Sequence, residues 1–202
     1  VILGALAACC IAVVALCTVW LQDLPDYNDA SAYNYAEKTK VYANDGTTLL
    51  AEFYLENRDP IDLDEMGTYV TKGTVATEDE RFYQHNGIDV LGIARAVWVN
   101  VTHTGHEGAS TITQQFVRNT ILADEATEST LKRKVREAYI AIKLEESYSK
   151  DEILQMYLNT INYGQGAYGI QAAAQRYYSK NAKDLTIAQA ATLIGIPQSP
   201  TY

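Results

Sequence analysis

Residues 77–89 read Thr77-Glu78-Asp79-Glu80-Arg81-Phe82-Tyr83-Gln84-His85-Asn86-Gly87-Ile88-Asp89, and the rest of the chain is best read outward from them. Three acids stand side by side. Like charges so placed repel, and one carboxylate of such a set can have its proton affinity raised toward the range of a general base. Arg81 is a fixed cation able to hold a neighbouring carboxylate ionised and oriented. Phe82 and Tyr83 can supply an apolar wall that keeps water back. Asn86-Gly87 predicts a turn, because both residues tolerate positive φ. Composition alone favours a solvated acidic helix end.

Downstream, Ile88, Leu91, Ala94, Val97, Trp98 and Val101 recur at helical spacing and predict a core helix. His103 and His106 beside Glu107 have the spacing of metal ligands, but a Gly-containing loop with two histidines is more often simply solvated. Gly108-Ala109-Ser110-Thr111-Ile112-Thr113-Gln114-Gln115-Phe116-Val117-Arg118-Asn119 follows. Ser110 or Thr111 can cap a helix there, and such a helix start binds anionic oxygens. Gln115, Arg118 and Asn119 fall at i, i+3 and i+4, and their amide and guanidinium groups suit a sugar and a diphosphate. A third helix opens at Leu131 and runs through Glu145, with Arg133 and Glu137 at i and i+4. A surface ion pair would serve that spacing equally well. Ser149 to Asn159 starts with a helix cap and has apolar spacing. Asn162 to Gly169 is a turn that reopens into a helix. Ala172, Ala173 and Ala174 permit close helix packing, and Leu185 to Ile196 reads as a further buried helix.

Three stretches together resemble the signatures of the family 51 glycosyltransferases, the peptidoglycan polymerase domains of class A penicillin-binding proteins and their monofunctional relatives. Residues 78–89 resemble E-D-x-R-F-Y-x-H-x-G-I-D, residues 108–119 resemble G-G/A-S-T-I/L-T-Q-Q-x-x-K-N, and residues 133–138 resemble R-K-x-x-E-A. The stretches Lys150–Asn159 and Pro197–Pro200 are similar to later parts of the same pattern, so the resemblance runs in order from about Val41 to Tyr202. It implies Glu78 as catalytic base and Glu137 as the second essential acid. It implies a substrate-binding set of Asp79, Arg81, Phe82, His85, Ser110, Thr111, Gln114, Gln115, Arg118, Asn119, Arg133 and Lys134. Arg118 departs from the family's usual Lys; charge is kept, but the two geometries are not interchangeable.

Upstream, Lys40–Ala43 and Thr48–Tyr54 are β-prone runs separated by Asn44-Asp45-Gly46, a strong hairpin signal. Asp26 to Lys40 carries Tyr27, Tyr33 and Tyr35 among small residues and reads as a linker near lipid headgroups. Val1 to Leu21 contains no charged residue. About 20 residues span the hydrocarbon core, so the run predicts a transmembrane helix. Trp20 sits where an interfacial aromatic is expected, and the acidic flank of Asp23, Asp26 and Asp29 reads as external. A cleaved signal peptide is the competing reading, without a clear small-residue cleavage site. Leu6-Ala7-Ala8-Cys9 faintly resembles a lipoprotein box, which small residues in a membrane helix explain better.

The chain has 202 residues and a net charge of −9, with no basic stripe, which argues against a nucleic-acid partner. Its three cysteines, Cys9, Cys10 and Cys17, all lie in the apolar run and say nothing of the redox compartment. It begins at Val1 rather than Met and stops without a polar tail, as a fragment of a longer protein would.

The expected architecture is mainly α. By resemblance it is a lysozyme-like glycosyltransferase domain with a small jaw lobe, preceded by a transmembrane helix and a short β-hairpin segment. The divisions are 1–22, 23–60 and 61–202, the last incomplete at its C-terminus. The reaction implied is inverting polymerisation of lipid II into glycan strands, with release of polyprenyl diphosphate. The place is the outer face of a bacterial cell membrane, with a single-pass anchor. Partners would be lipid II, the growing strand, membrane lipid and other cell-wall synthesis proteins. A divalent cation, Mg or Mn, could assist the leaving diphosphate; no organic cofactor is expected. The alternatives are a lysozyme-like lytic transglycosylase or hydrolase, which the basic residues beside Glu137 argue against, and an inactive membrane-anchored scaffold.

Overall fold

The computed structural model describes residues 2–27, 39–53, 56–102 and 108–198. Outside them lie linker residues 28–38, the His103/His106/Glu107 loop and the Ser199-Pro200 ending. The described chain is mainly helical: α1 (Ile2–Trp20), α2 (Thr68–Glu78), α3 (Val90–Val101), α4 (Ile112–Asn119), α5 (Leu131–Ser147), α6 (Lys150–Thr160), α7 (Ile170–Tyr178) and α8 (Ile187–Gly195). Its strands are short. β1 (Thr39–Tyr42) and β2 (Leu49–Phe53) form the expected antiparallel hairpin, Thr39 opposite Phe53. Asp45 holds its turn by accepting from the backbone N–H groups of Thr47 and Thr48 at 2.9 and 2.8 Å. β3 (Asn57–Arg58) and β4 (Ala167–Tyr168) pair in parallel and tie the start of the helical part to the turn before α7.

Local chemistry sets the helix starts. Thr111 with Gln114, Ser149 with Glu152 and Thr186 with Gln189 form capping boxes on α4, α6 and α8. Each satisfies backbone donors that the first turn leaves orphaned, a device worth about 1 kcal/mol. An eight-residue helix such as α4 does not hold in isolation. Burial secures it: Ile112, Phe116 and Val117 are sealed where α4 packs on both α5 and α6. That packing joins one core containing Phe82, Tyr157, Tyr163, Met66 and Leu158. α2 lies against α8, and Gly73 sets how closely: a Cβ there would stand 2.6 Å from Ile194 Cδ1.

The end of α1 is fastened to α5. Arg136 donates to the carbonyls of Trp20 and Asp23 at 3.1 and 2.9 Å and pairs with Glu125 at 2.9 Å. A cation among the last carbonyls of a helix satisfies acceptors and opposes the dipole. Among the described residues no helix is long and apolar enough to cross a membrane, although no charged residue lies within α1.

One expectation is corrected. α3 is helical as predicted, but it is not a core helix. Only Gly92 and Ala96 are buried, while Leu91, Trp98 and Val101 are about 70% exposed. Periodicity identifies an apolar face; it does not say that the rest of the molecule covers that face.

Candidate active site

α2 ends at Glu78, and the chain then turns sharply through a 3-10 turn at Phe82–Gln84 and the left-handed Gly87 (φ +81°). Gly87 could carry no side chain. A Cβ would meet the Ala141 backbone of α5 at 2.7 Å, and the Gly87 carbonyl accepts from Thr111 Oγ1 at 2.8 Å. The first motif is thus pressed against both the cap of α4 and the middle of α5. Between the C-terminus of α2, the N-terminus of α3 and the segment leading into α4 lies a cleft of about 610 Å³.

Glu78 lines this cleft, with Arg81, Asp89, Arg95, Ser110, Gln115 and Arg118 among its other walls. One Glu78 oxygen accepts from Gln115 Nε2 at 2.9 Å, while the other, Oε1, is buried and has no partner among the described residues. Gln115 in turn accepts from the hydroxyl of Tyr157 at 3.1 Å. Burial first, and then the charge of Glu78, raise the Tyr157 hydroxyl well above its ordinary pKa, and the same two causes raise that of Tyr163. Both phenols therefore stay protonated beside the carboxylate.

The other acids of the cluster have different work. Asp79 is buried, accepting from His85 Nε2 at 2.9 Å and from the Ile112 backbone N–H at 3.0 Å. It fixes the start of α4 and is also one of the cleft walls. Arg81, expected to orient a neighbouring acid, pairs with Asp89 at 2.6 Å. Burial works to raise the Asp89 pKa, but the hydrogen bonds from Arg81 and Gly92 N–H and the Arg81 charge bring it below its ordinary value. Asp89 also caps α3 by accepting from Gly92 N–H.

Several residues named as substrate-binding lie away from open cleft surface. Phe82 is fully buried in the core, with Lys150 Nζ 4.4 Å from its ring centroid. His85 is enclosed between Asp79 and Lys150, whose Nζ stands 3.5 Å from Nδ1. Lys150 also pairs with Glu145 at 2.7 Å, and Glu145 accepts from Thr113. A buried polar chain therefore runs beneath the site, from Asp79 to the first turn of α4. Gln114 is spent on the capping box with Thr111, which itself lines the cleft, and Asn119 is exposed at the far end of α4, not among the cleft walls.

Glu137 is also placed differently from expectation. It is fully buried, with one oxygen on Arg133 Nη1 and the other on Lys134 Nζ at 2.8 Å. Both lone-pair sets are taken by cations of its own helix face, so it holds positive charge in place instead of facing the cleft. Lys134 continues to Ser110 Oγ at 2.9 Å, which brings that charge to the cleft wall. Among the described residues no three His, Cys, Asp or Glu side chains converge to hold a metal ion.

Sequence reading found Glu78, Gln115, Arg118 and Ser110, which the fold brings together around one cleft. It passed over Tyr157, Lys150 and Glu145. Their stretches read as ordinary helix ends and interiors, and their partners lie far along the chain.

The cleft thus sets an acid at a helix end beside the amide of Gln115 and the guanidinium group of Arg118. A family model described as transglycosylase matches residues 45–202, and the chain belongs to that family, the family 51 glycosyltransferases. The match begins at the hairpin turn, upstream of the helical part. Penicillin-binding protein 2D of Bacillus subtilis strain 168 is 44% identical over 202 residues, all of this chain and 28% of that protein. Penicillin-binding protein 1F of the same organism is 45% identical over 153 residues, 75% of this chain and 21% of that protein. Penicillin-binding protein 1A of Rickettsia felis is 39% identical over 184 residues, 89% of this chain and 23% of that protein. The chain thus spans about a quarter of the length of these relatives.

Proposed function

We propose that this domain polymerises lipid II into peptidoglycan glycan strands at the outer face of the cytoplasmic membrane. The observation that carries this reading is Glu78. It lines the cleft with one oxygen anchored on Gln115 and the other, buried at the cleft wall, without a partner among the described residues, so one acceptor of the carboxylate is uncommitted. Glu78 takes the proton of the GlcNAc 4-hydroxyl of lipid II as that oxygen bonds to the anomeric carbon of the growing strand. The bond from that carbon to the polyprenyl diphosphate breaks on the opposite side, and the configuration inverts. Charge gathers on the leaving diphosphate, and preorganised cations are the efficient answer to it. Arg118 supplies one in the cleft, and Lys134 a second at its edge through Ser110. Glu137 acts on both Lys134 and Arg133 as their anchor. A divalent cation suits this reading as a companion of the diphosphate: among the described residues no cluster of protein ligands gathers for it, and Glu137 is already committed.

The membrane reading rests on two features. α1 contains no charged residue, and α3 turns Leu91, Val97, Trp98 and Val101 to solvent. An exposed apolar helix face beside a cleft for a lipid-borne substrate suits burial in the membrane interface. Residues 1–22 then anchor the chain, 23–60 link it, and 61–202 carry the lysozyme-like domain with α3 in its jaw.

The test is incubation of the full chain with labelled lipid II in detergent, with polymer read on a gel. The wild type should give a ladder. Glu78→Gln should lower its rate by about 10²-fold or more, the range a positioned base contributes. Cleavage of soluble, lipid-free glycan without polymer would overturn the reading in favour of a hydrolase.

A further inference from the structure

The hydroxyl of Tyr157 lies two hydrogen bonds from the proposed base, in the middle of α6. Tyr157 is fully buried, and its ring is part of the core beneath the cleft. Its OH donates to Gln115 Oε1 at 3.1 Å, and Gln115 Nε2 donates to Glu78 Oε2 at 2.9 Å. The direction of this chain follows from chemistry. A carboxamide has one accepting end and one donating end, and a carboxylate only accepts. If the amide were reversed, its oxygen would face the Glu78 carboxylate and two acceptors would repel. A phenol that keeps its proton supplies the donor that holds the amide the right way round.

We infer that Tyr157 is a positioning residue for the transfer reaction: its hydroxyl fixes the orientation of Gln115, which pins one oxygen of Glu78 and leaves the other as the single basic site. This rests on the reading of Glu78 as the base. The other groups facing the assembly are Arg118 from α4 and Tyr163 from the turn after α6, which act on Tyr157 through charge. Because Tyr157 touches neither substrate nor the reacting atoms, its effect should appear in turnover and not in substrate binding. Without its hydroxyl, Gln115 can rotate and Glu78 samples orientations in which neither oxygen is aimed.

The experiment is a double-mutant cycle on the full chain with lipid II in detergent, using Tyr157→Phe, Gln115→Leu, the pair together, and Glu78→Gln. Tyr157→Phe keeps the packed ring and should lower kcat about tenfold, with KM within about twofold and the melting temperature close to wild type. The same Tyr157→Phe change should cost little in the Gln115→Leu background, because the chain it supports is already cut. Full kcat in Tyr157→Phe, or equal losses in both backgrounds, overturns the positioning role while Glu78→Gln still marks the base. Undiminished polymerisation by Glu78→Gln overturns the reading of the base itself, and the positioning role with it.

Discussion

Glu78 and Glu137 are the same residue type in opposite surroundings. Among the described residues Glu78 has one hydrogen bond and one unpartnered oxygen beside a cleft; Glu137 is sealed, with a cation on each oxygen. Removing one partner of a buried ion pair leaves charge uncompensated and costs on the order of 3 kcal/mol or more. Glu137→Gln should therefore lower thermal stability markedly as well as activity, whereas Glu78→Gln should spare the melt. A normal melting curve for Glu137→Gln with polymerisation abolished would mean that Glu137 faces the reaction directly. Arg118 is the complementary case. It lines the cleft and makes no hydrogen bond or ion pair among the described residues, so it is available to an anionic ligand. Arg118→Ala should reduce kcat/KM for lipid II about tenfold or more, as the loss of a charge-assisted bond implies. Kinetics within twofold of wild type would remove it from the site.

At the scale of elements, α4 shows how a short helix becomes a rigid support. Its cap closes on itself, its first turn is held by Asp79 and Glu145, and its apolar face is buried between α5 and α6. Gln115 and Arg118, at i and i+3, ride on its other side and line the cleft. α3 is the contrasting element, with its apolar face toward solvent. Leu91→Glu with Trp98→Glu removes little buried surface, so folding should be preserved within about 0.5 kcal/mol, as for surface substitutions generally. The same pair should weaken co-sedimentation with lipid vesicles strongly. Vesicle binding equal to wild type would show that this face serves something other than lipid.

For the whole molecule, the joint between α1 and α5 matters most. Arg136 binds the last carbonyls of α1 three positions along from Arg133 and one before Glu137, so the proposed anchor is fastened to the helix that carries the cations. Deleting residues 1–22 should leave turnover of detergent-dispersed lipid II close to wild type and lower turnover in liposomes severalfold. Equal liposome turnover after deletion would dismiss the anchor as a determinant of substrate access.

The sequence by itself determined the family, the hairpin and the capped helices, and it pointed to Glu78 as the leading acid. Each is written in a short span: a turn pair, a cap three residues from its partner, a motif of about a dozen positions. It also determined that α3 has an apolar face. Only the tertiary structure decided which polar residues face the cleft and which are structural, because those choices lie in contacts between distant positions. Asp79 reaches Ile112 across 33 residues, Gln115 reaches Glu78 across 37, Tyr157 reaches Gln115 across 42, and Lys150 stands against His85 across 65. A carboxylate, an imidazole or an amide looks the same in sequence whether it is bound to protein or open to substrate. Burial and hydrogen-bond saturation distinguish the two, and both are properties of the packed chain.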